Sequence, residues 1–203
     1  MIFLHRQNDI LCEINHFGVE IDLRFNGKEL VLNHDLLSDG IEYPLFRDRL
    51  KFFKNTPMIC NIKESNLEEI VIEMLEEGGG RYEYYFLDSQ IPDILRISKD
   101  LKGKFIIRVS DVETLNKKLI DISQPKYLWV DYSAFLNFNL KNYEYFILNL
   151  YKEIDKKLIP ILVSPELYDL SFVDLIPQIQ SVLPKGFSIC TKKPDLWSSY
   201  VQS

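Results

Sequence analysis

Short apolar runs punctuate this chain at even intervals, and the stretches between them carry helical periodicity. Eight runs have the character of strands, at 2–6, 18–25, 57–63, 84–89, 104–110, 127–132, 158–164 and 187–191. Such alternation is the pattern of parallel βα units. The Asn26-Gly27 pair predicts a hairpin with a type I′ turn, which gives the second run an antiparallel companion over 29–33. Leu67, Ile70, Val71, Met74 and Leu75 recur at helical spacing among acids, and Ser65 with Glu68 spells a capping box ahead of them. Gly78-Gly79-Gly80 then stops that helix. Asp111 is expected to cap a helix over 112–120. Residues 143–154 carry an apolar stripe that runs toward Lys156 and Lys157, where cations suit the helix dipole. Pro177 is expected to kink or end a helix that starts near Glu166.

Eight strands with helices between them predict an α/β fold: a (β/α)8 TIM barrel forming a single small domain over 1–203. An open doubly wound sheet is the alternative that serves the same alternation with fewer strands. The barrel is favoured by the polar groups that finish nearly every run: Arg6, Asp22, Lys63, Asp88, Arg108, Asp131, Ser164 and Thr191. Barrel enzymes place their sites at those strand ends.

Composition narrows the setting. The 203 residues, 46% hydrophobic and 13% aromatic, suffice for one sizeable core. A net charge of -6 argues against a general nucleic-acid or anionic-membrane surface and leaves room for a local basic pocket. Cys12, Cys60 and Cys190 lack metal-type spacing and are odd in number, so packing roles in a reducing compartment are expected rather than a disulfide framework or a zinc site. The apolar start Met1-Ile2-Phe3-Leu4 meets His5-Arg6 too soon for a secretory signal, and no apolar run reaches membrane-spanning length. A cytoplasmic protein without an integral membrane segment is the expectation.

All three histidines fall within the first 34 residues. His5 and His34 bracket Glu20-Ile21-Asp22, whose carboxylates share one face of a strand while Val19, Ile21 and Leu23 share the other. Two inward carboxylates need a cation, and oxygen ligation suits Mg²⁺ or Ca²⁺; on a half-exposed strand the same acids would merely be solvated. Imidazole, with an ordinary pKa of about 6.5, gives and takes protons near neutrality, which makes His5 and His34 a candidate acid/base pair. His16 lacks such company and is expected to be structural.

These residues carry a resemblance to the glycerophosphodiester phosphodiesterases, members of the phospholipase C-like phosphodiesterase barrels. The family opens with a His-Arg strand, continues with Glu-x-Asp and follows with His-Asp after a short turn; this chain reads His5-Arg6, Glu20-Ile21-Asp22 and His34-Asp35. Thr191-Lys192-Lys193-Pro194-Asp195 is similar to the Thr-Asp-x-Pro segment that closes the family's last strand. The resemblance implies a metal-dependent phosphodiesterase. His5 and His34 would be the acid/base pair, Glu20 and Asp22 the ligands of a divalent Mg or Ca ion, and Arg6 the grip on a phosphate oxygen. The family's Glu-x-Lys on the third strand reads Asn61-Ile62-Lys63 here. Lys63 is kept for phosphate, and Asn61 offers a neutral carbonyl in place of a carboxylate, with Asp88 or Asp131 as possible compensation. Glu64 lies on the opposite strand face.

The family's glycerol-specific members carry an insertion after His-Asp, whereas 21 residues separate Asp35 from Pro57 here. Trp129, with core packing its expected role, and the Ser164-Pro165-Glu166 segment stand as candidate lining. The implied partner is a small phosphodiester substrate. A lyase that stops at a cyclic phosphate, and a non-catalytic binder of a phosphate ligand, are the alternatives.

Overall fold

The connections between successive runs are long enough for helices to cross back over the sheet, and that is what allows neighbouring strands to run parallel. The computed structural model describes residues 1–202. Its strands are β1 (Ile2–Leu4), β2 (Gly18–Phe25), β3 (Leu30–Leu32), β4 (Met58–Ile62), β5 (Tyr84–Leu87), β6 (Ile106–Val109), β7 (Tyr127–Val130), β8 (Ile159–Val163) and β9 (Ser188–Thr191). The helices are α1 (Phe46–Arg49), α2 (Glu68–Glu77), α3 (Ile91–Ile97), α4 (Lys117–Ser123), α5 (Leu140–Glu153), α6 (Ile176–Val182) and α7 (Pro194–Gln202).

The strands order as β5-β4-β2-β1-β9-β8-β7-β6, all parallel, with β3 added antiparallel to β2. The remaining join, β5 to β6, rests on one bridge, Phe86 to Phe105, where the Phe86 N–H donates to the Lys104 carbonyl at 2.7 Å. The result is a nearly closed (β/α)8 barrel, as the alternation predicts, and the open doubly wound sheet is set aside. β6 is shorter than the apolar run at 104–110 because its first residues reach β5 through that single bridge only.

Two cores divide the apolar residues. Outward-facing residues such as Val19, Ile21, Leu23 and Ile107 pack against the helices. Phe3, Ile59, Tyr85, Tyr127, Trp129 and Ile161 fill the bore, with Tyr127 edge-on to Tyr85 (4.8 Å between centroids) and to Phe3 (5.8 Å). Trp129 is thus core, as expected. A Cβ on Gly18 would sit 2.3 Å from the Phe3 ring, so filling the bore with Phe3 requires glycine at that point.

Several local expectations are corrected. Asn66 takes a left-handed φ of 65°, which delays α2 until Glu68 with Leu67 at its N-cap; Ser65 makes no cap. Asp111 accepts from the N–H and hydroxyl of Ser133 (2.7 and 2.8 Å) instead of capping a helix. α4 starts at Lys117, with the Asn116 side chain accepting from the Leu119 N–H at 3.0 Å. Residues 165–167 and 170–175 form 3₁₀ turns, and Pro177 lies in the first turn of α6, where its missing N–H leaves nothing unpaired. In the hairpin only Gly27 has positive φ (87°), so the type I′ turn, which needs two such residues, does not form; Asn26 Oδ1 accepts from the N–H groups of Lys28 and Glu29 instead. Cys60 and Cys190 are buried, whereas Cys12 is exposed rather than packed. Among the described residues no helix is long and apolar enough to cross a membrane.

Candidate active site

The C-terminal ends of β1, β2 and β4 bring most of the candidate residues together. Side chains on one face of β2 recur every second residue, so Glu20 and Asp22 both enter the bore; both are buried, not solvated. β4 pairs in register with Asp22 opposite Asn61, which lays that amide beside the two acids. The Asn61 Nδ2 group donates to Glu20 Oε1 at 3.0 Å. Lys63 places its ammonium 3.0 Å from Asp22 Oδ1.

β1 ends at Leu4, and the chain then turns through Arg6 in the left-handed region, φ 51°. That turn aims the Arg6 N–H at Glu20 Oε2 (2.8 Å) and swings its guanidinium to within 4.0 Å of Asp22. Two residues on, Asn8 makes a reciprocal pair with Asp22: its Nδ2 donates to Oδ2 and its Oδ1 accepts from the Asp22 N–H, each at 2.9 Å.

His5 follows β1 directly, and its N–H donates to the Thr191 carbonyl at 3.0 Å. Burial, with the Arg6 and Lys192 charges adding and Asp22 opposing, pushes its pKa down to about 3. At neutral pH the imidazole is therefore uncharged, and its 3.8 Å approach to Glu20 Oε2 is a polar contact rather than an ion pair. Burial, then the Asp22 charge, pushes the Glu20 carboxyl well above the usual carboxylate range. His34 lies close enough for its charge to act on His5. Its Nδ1 is 2.8 Å from Asp35 Oδ1. The buried Arg24 guanidinium donates to the His34 carbonyl at 3.0 Å and to Glu64 at 3.1 Å. Glu64 is thereby committed away from the carboxylate pair, as its strand face predicts.

Asp88 and Asp131 do not join this cluster. Both bind Arg108, at 2.7 Å or less, on the β5–β7 side of the mouth. Burial raises the Asp131 carboxyl, with Arg108 opposing. Ser164 and Glu166, the other candidate lining, are buried beneath the β9 end: Glu166 accepts from the hydroxyls of Ser164 and Thr191 and from the Lys192 N–H. His16 is exposed in the loop after β1, with φ 74°.

Among the described residues His5 Nδ1, Asn61 Oδ1 and Asp22 Oδ1 are buried without a hydrogen-bond partner, the last facing only the Lys63 ammonium, and Asn61 Oδ1 faces no charge partner either. The amide oxygen of Asn61 bears on a metal. Glu20, Asp22 and Asn61 form an all-oxygen donor set of two charges, and a hard cation would engage the orphaned amide oxygen and lower the cost of two adjacent buried carboxylates. With Asn61 counted, these residues could hold Mg²⁺ or Ca²⁺; among the described residues no three His, Cys, Asp or Glu group as metal ligands. Lys63 already supplies one positive charge, so a cation here would be held less tightly than by three carboxylates.

The residues missed by motif reading are Asn8 and Arg24, which orient Asp22 and His34 across 14 and 10 positions of sequence. Neither falls in a spacing that signals its partner. A scan against protein-family models finds none that matches the chain, and a search of curated proteins finds no match.

Proposed function

We propose that this protein is a metal-assisted phosphodiesterase that hydrolyses a small glycerophosphodiester-like substrate to a phosphomonoester and an alcohol. One observation carries the reading: two histidines, two buried carboxylates and two cations from separate stretches of the chain converge at one end of the barrel bore. Strand-end convergence of this kind is where barrel enzymes perform their chemistry. Glu20, Asp22 and Asn61 are the residues that would hold the divalent ion. Bound there, it would supply Lewis-acid stabilisation of the charge that builds on the phosphate's non-bridging oxygens.

The chain's own groups do the rest. Arg6 and Lys63 offer N–H donors to those oxygens, and Asp22 keeps both cations pointed into the mouth. One imidazole takes the proton of the attacking hydroxyl and the other protonates the leaving alkoxide. In His34 the Asp35 carboxylate occupies Nδ1, so Nε2 is the atom that exchanges a proton. Asn8 and Arg24 hold Asp22 and the His34 backbone in place.

A second reading is favoured by the donors that already face the carboxylates: Asn8 and Lys63 on Asp22, and Arg6 N–H and Asn61 on Glu20. A site so supplied could bind a phosphate ligand without turnover. The test is cleavage of a panel of glycerophosphodiesters by metal-stripped protein with Mg²⁺, Ca²⁺ or Mn²⁺ restored, beside His5→Ala and His34→Ala. Metal-dependent cleavage that both variants lower by about a hundredfold supports the enzyme. Tight binding of a glycerophosphodiester with neither metal uptake nor cleavage supports the binder, and cleavage indifferent to metal and to both histidines removes the mechanism.

A further inference from the structure

The end of β9 meets the site from the side opposite β2. β1 pairs with β9 so that Leu4 faces Thr191, and Lys192 leaves the sheet next to His5. The turn that carries Lys192 is pinned from below. Glu166, a buried carboxylate, accepts from the Lys192 N–H at 3.1 Å and from the Thr191 hydroxyl, and Thr191 Oγ1 in turn accepts from the Lys193 N–H at 2.8 Å. The same carboxylate accepts from the Ser164 hydroxyl, whose oxygen receives the Trp197 indole N–H at 2.8 Å. A buried anion fixed by this many donors holds its turn rigidly.

Above that anchor the Lys192 side chain is exposed, and it makes no ion pair with any described residue, whereas Arg6 and Lys63 both lean on Asp22 at 4.0 and 3.0 Å. Its charge reaches the His5 ring. Lysine stems are flexible, and an ammonium left unpaired beside a cluster of site residues is available for an anion. In (β/α)8 barrels the loops after the seventh and eighth parallel strands, here β8 and β9, frequently form the phosphate site.

We infer that Lys192 is a third cationic contact for the substrate phosphate, opposite Arg6 and Lys63, on a turn positioned by Glu166. The inference rests on the phosphodiester reading above and adds to it: the phosphate lies between the β1–β4 ends and the β9 end, gripped from both sides. Lys193 is a neighbouring control, because it lines a separate cleft with Leu170, Val173 and Leu196.

The experiment is calorimetric titration of the full chain with inorganic phosphate, paired with diester turnover, for wild type, Lys192→Ala, Lys192→Arg and Lys193→Ala. Loss of one charge-assisted contact is expected to weaken phosphate binding and raise KM about tenfold in Lys192→Ala. Lys192→Arg should stay within about threefold and Lys193→Ala within about twofold of wild type, with unfolding midpoints unchanged, as for surface substitutions. If Lys192→Ala binds phosphate as wild type does while diesters are cleaved, the inference is overturned and the phosphodiesterase reading stands. If wild type binds phosphate through Lys192 and cleaves nothing, the inference stands and the enzyme reading falls. A wild type that neither binds phosphate nor cleaves diesters overturns both.

Discussion

The two flanks of the barrel mouth settle their polar groups to different degrees. On the β5–β7 flank, Arg108 donates through Nε and Nη2 to Asp88 and through Nη1 to Asp131, so cation and carboxylates answer one another across three strand ends. On the β1–β4 flank Lys63 answers Asp22, yet His5 Nδ1 and Asn61 Oδ1 are buried with no hydrogen-bond partner among the described residues, and Glu20 is a carboxyl that burial disfavours in its charged form. An unpaired buried polar atom costs about 1–3 kcal/mol. The first flank reads as a brace that ties strand ends together. The second leaves an imidazole nitrogen and an amide oxygen unpartnered beside its carboxylates, as the ligand site proposed above requires.

Four outcomes break or sharpen this contrast. The largest is in turnover: His5→Ala is expected to lose about a hundredfold or more in kcat, close to 2.7 kcal/mol of barrier, with stability held because the lost ring nitrogen was unpaired. Arg108→Met should do the reverse. It leaves Asp88 and Asp131 facing each other without their cation and lowers unfolding free energy by about 1–2 kcal/mol, discounted for partial exposure, with turnover within about threefold in a urea-melt and kinetic comparison. Equal losses of activity in the two variants would dissolve the distinction between brace and site. Asn61→Glu restores a third carboxylate and should tighten divalent-cation binding about tenfold by calorimetry; weaker binding would place the cation away from β4. Smallest in energy is the difference in backbone opening. Amides at the single-bridge join of β5 and β6 should exchange with solvent about tenfold or more faster than those of the β2–β4 ladder, read by hydrogen exchange.

Much of this molecule could be read before folding it, for identifiable reasons. Strand alternation survives because each apolar run is buried on both faces, one in the bore and one under helices, which few other folds demand of every strand. His5, Arg6, Glu20, Asp22 and His34 were legible because they stand close together in sequence at strand spacing. The helix starts were not. Ser65 and Asp111 carry the right side chains for caps, but Asn66 turns left-handed and Ser133 claims Asp111 from 22 residues away. Asn8, Arg24 and Lys192 escaped for a related reason: each acts on a partner brought near only when the sheet curls, and no local pattern records that meeting.

The barrel's two joins differ in a way that matters for movement. β1 to β5 form one half of the wall and β6 to β9 the other; the halves are laced by three residue pairs at β1–β9 and touch by one at β5–β6. Of these two joins, the β5–β6 one holds the fewer ladder hydrogen bonds and costs less to part. His5 and Lys192 flank the β1–β9 join, away from that weak point. Local opening is therefore expected to begin on the β5–β6 side of the wall, while the groups beside the β1–β9 join keep their registration.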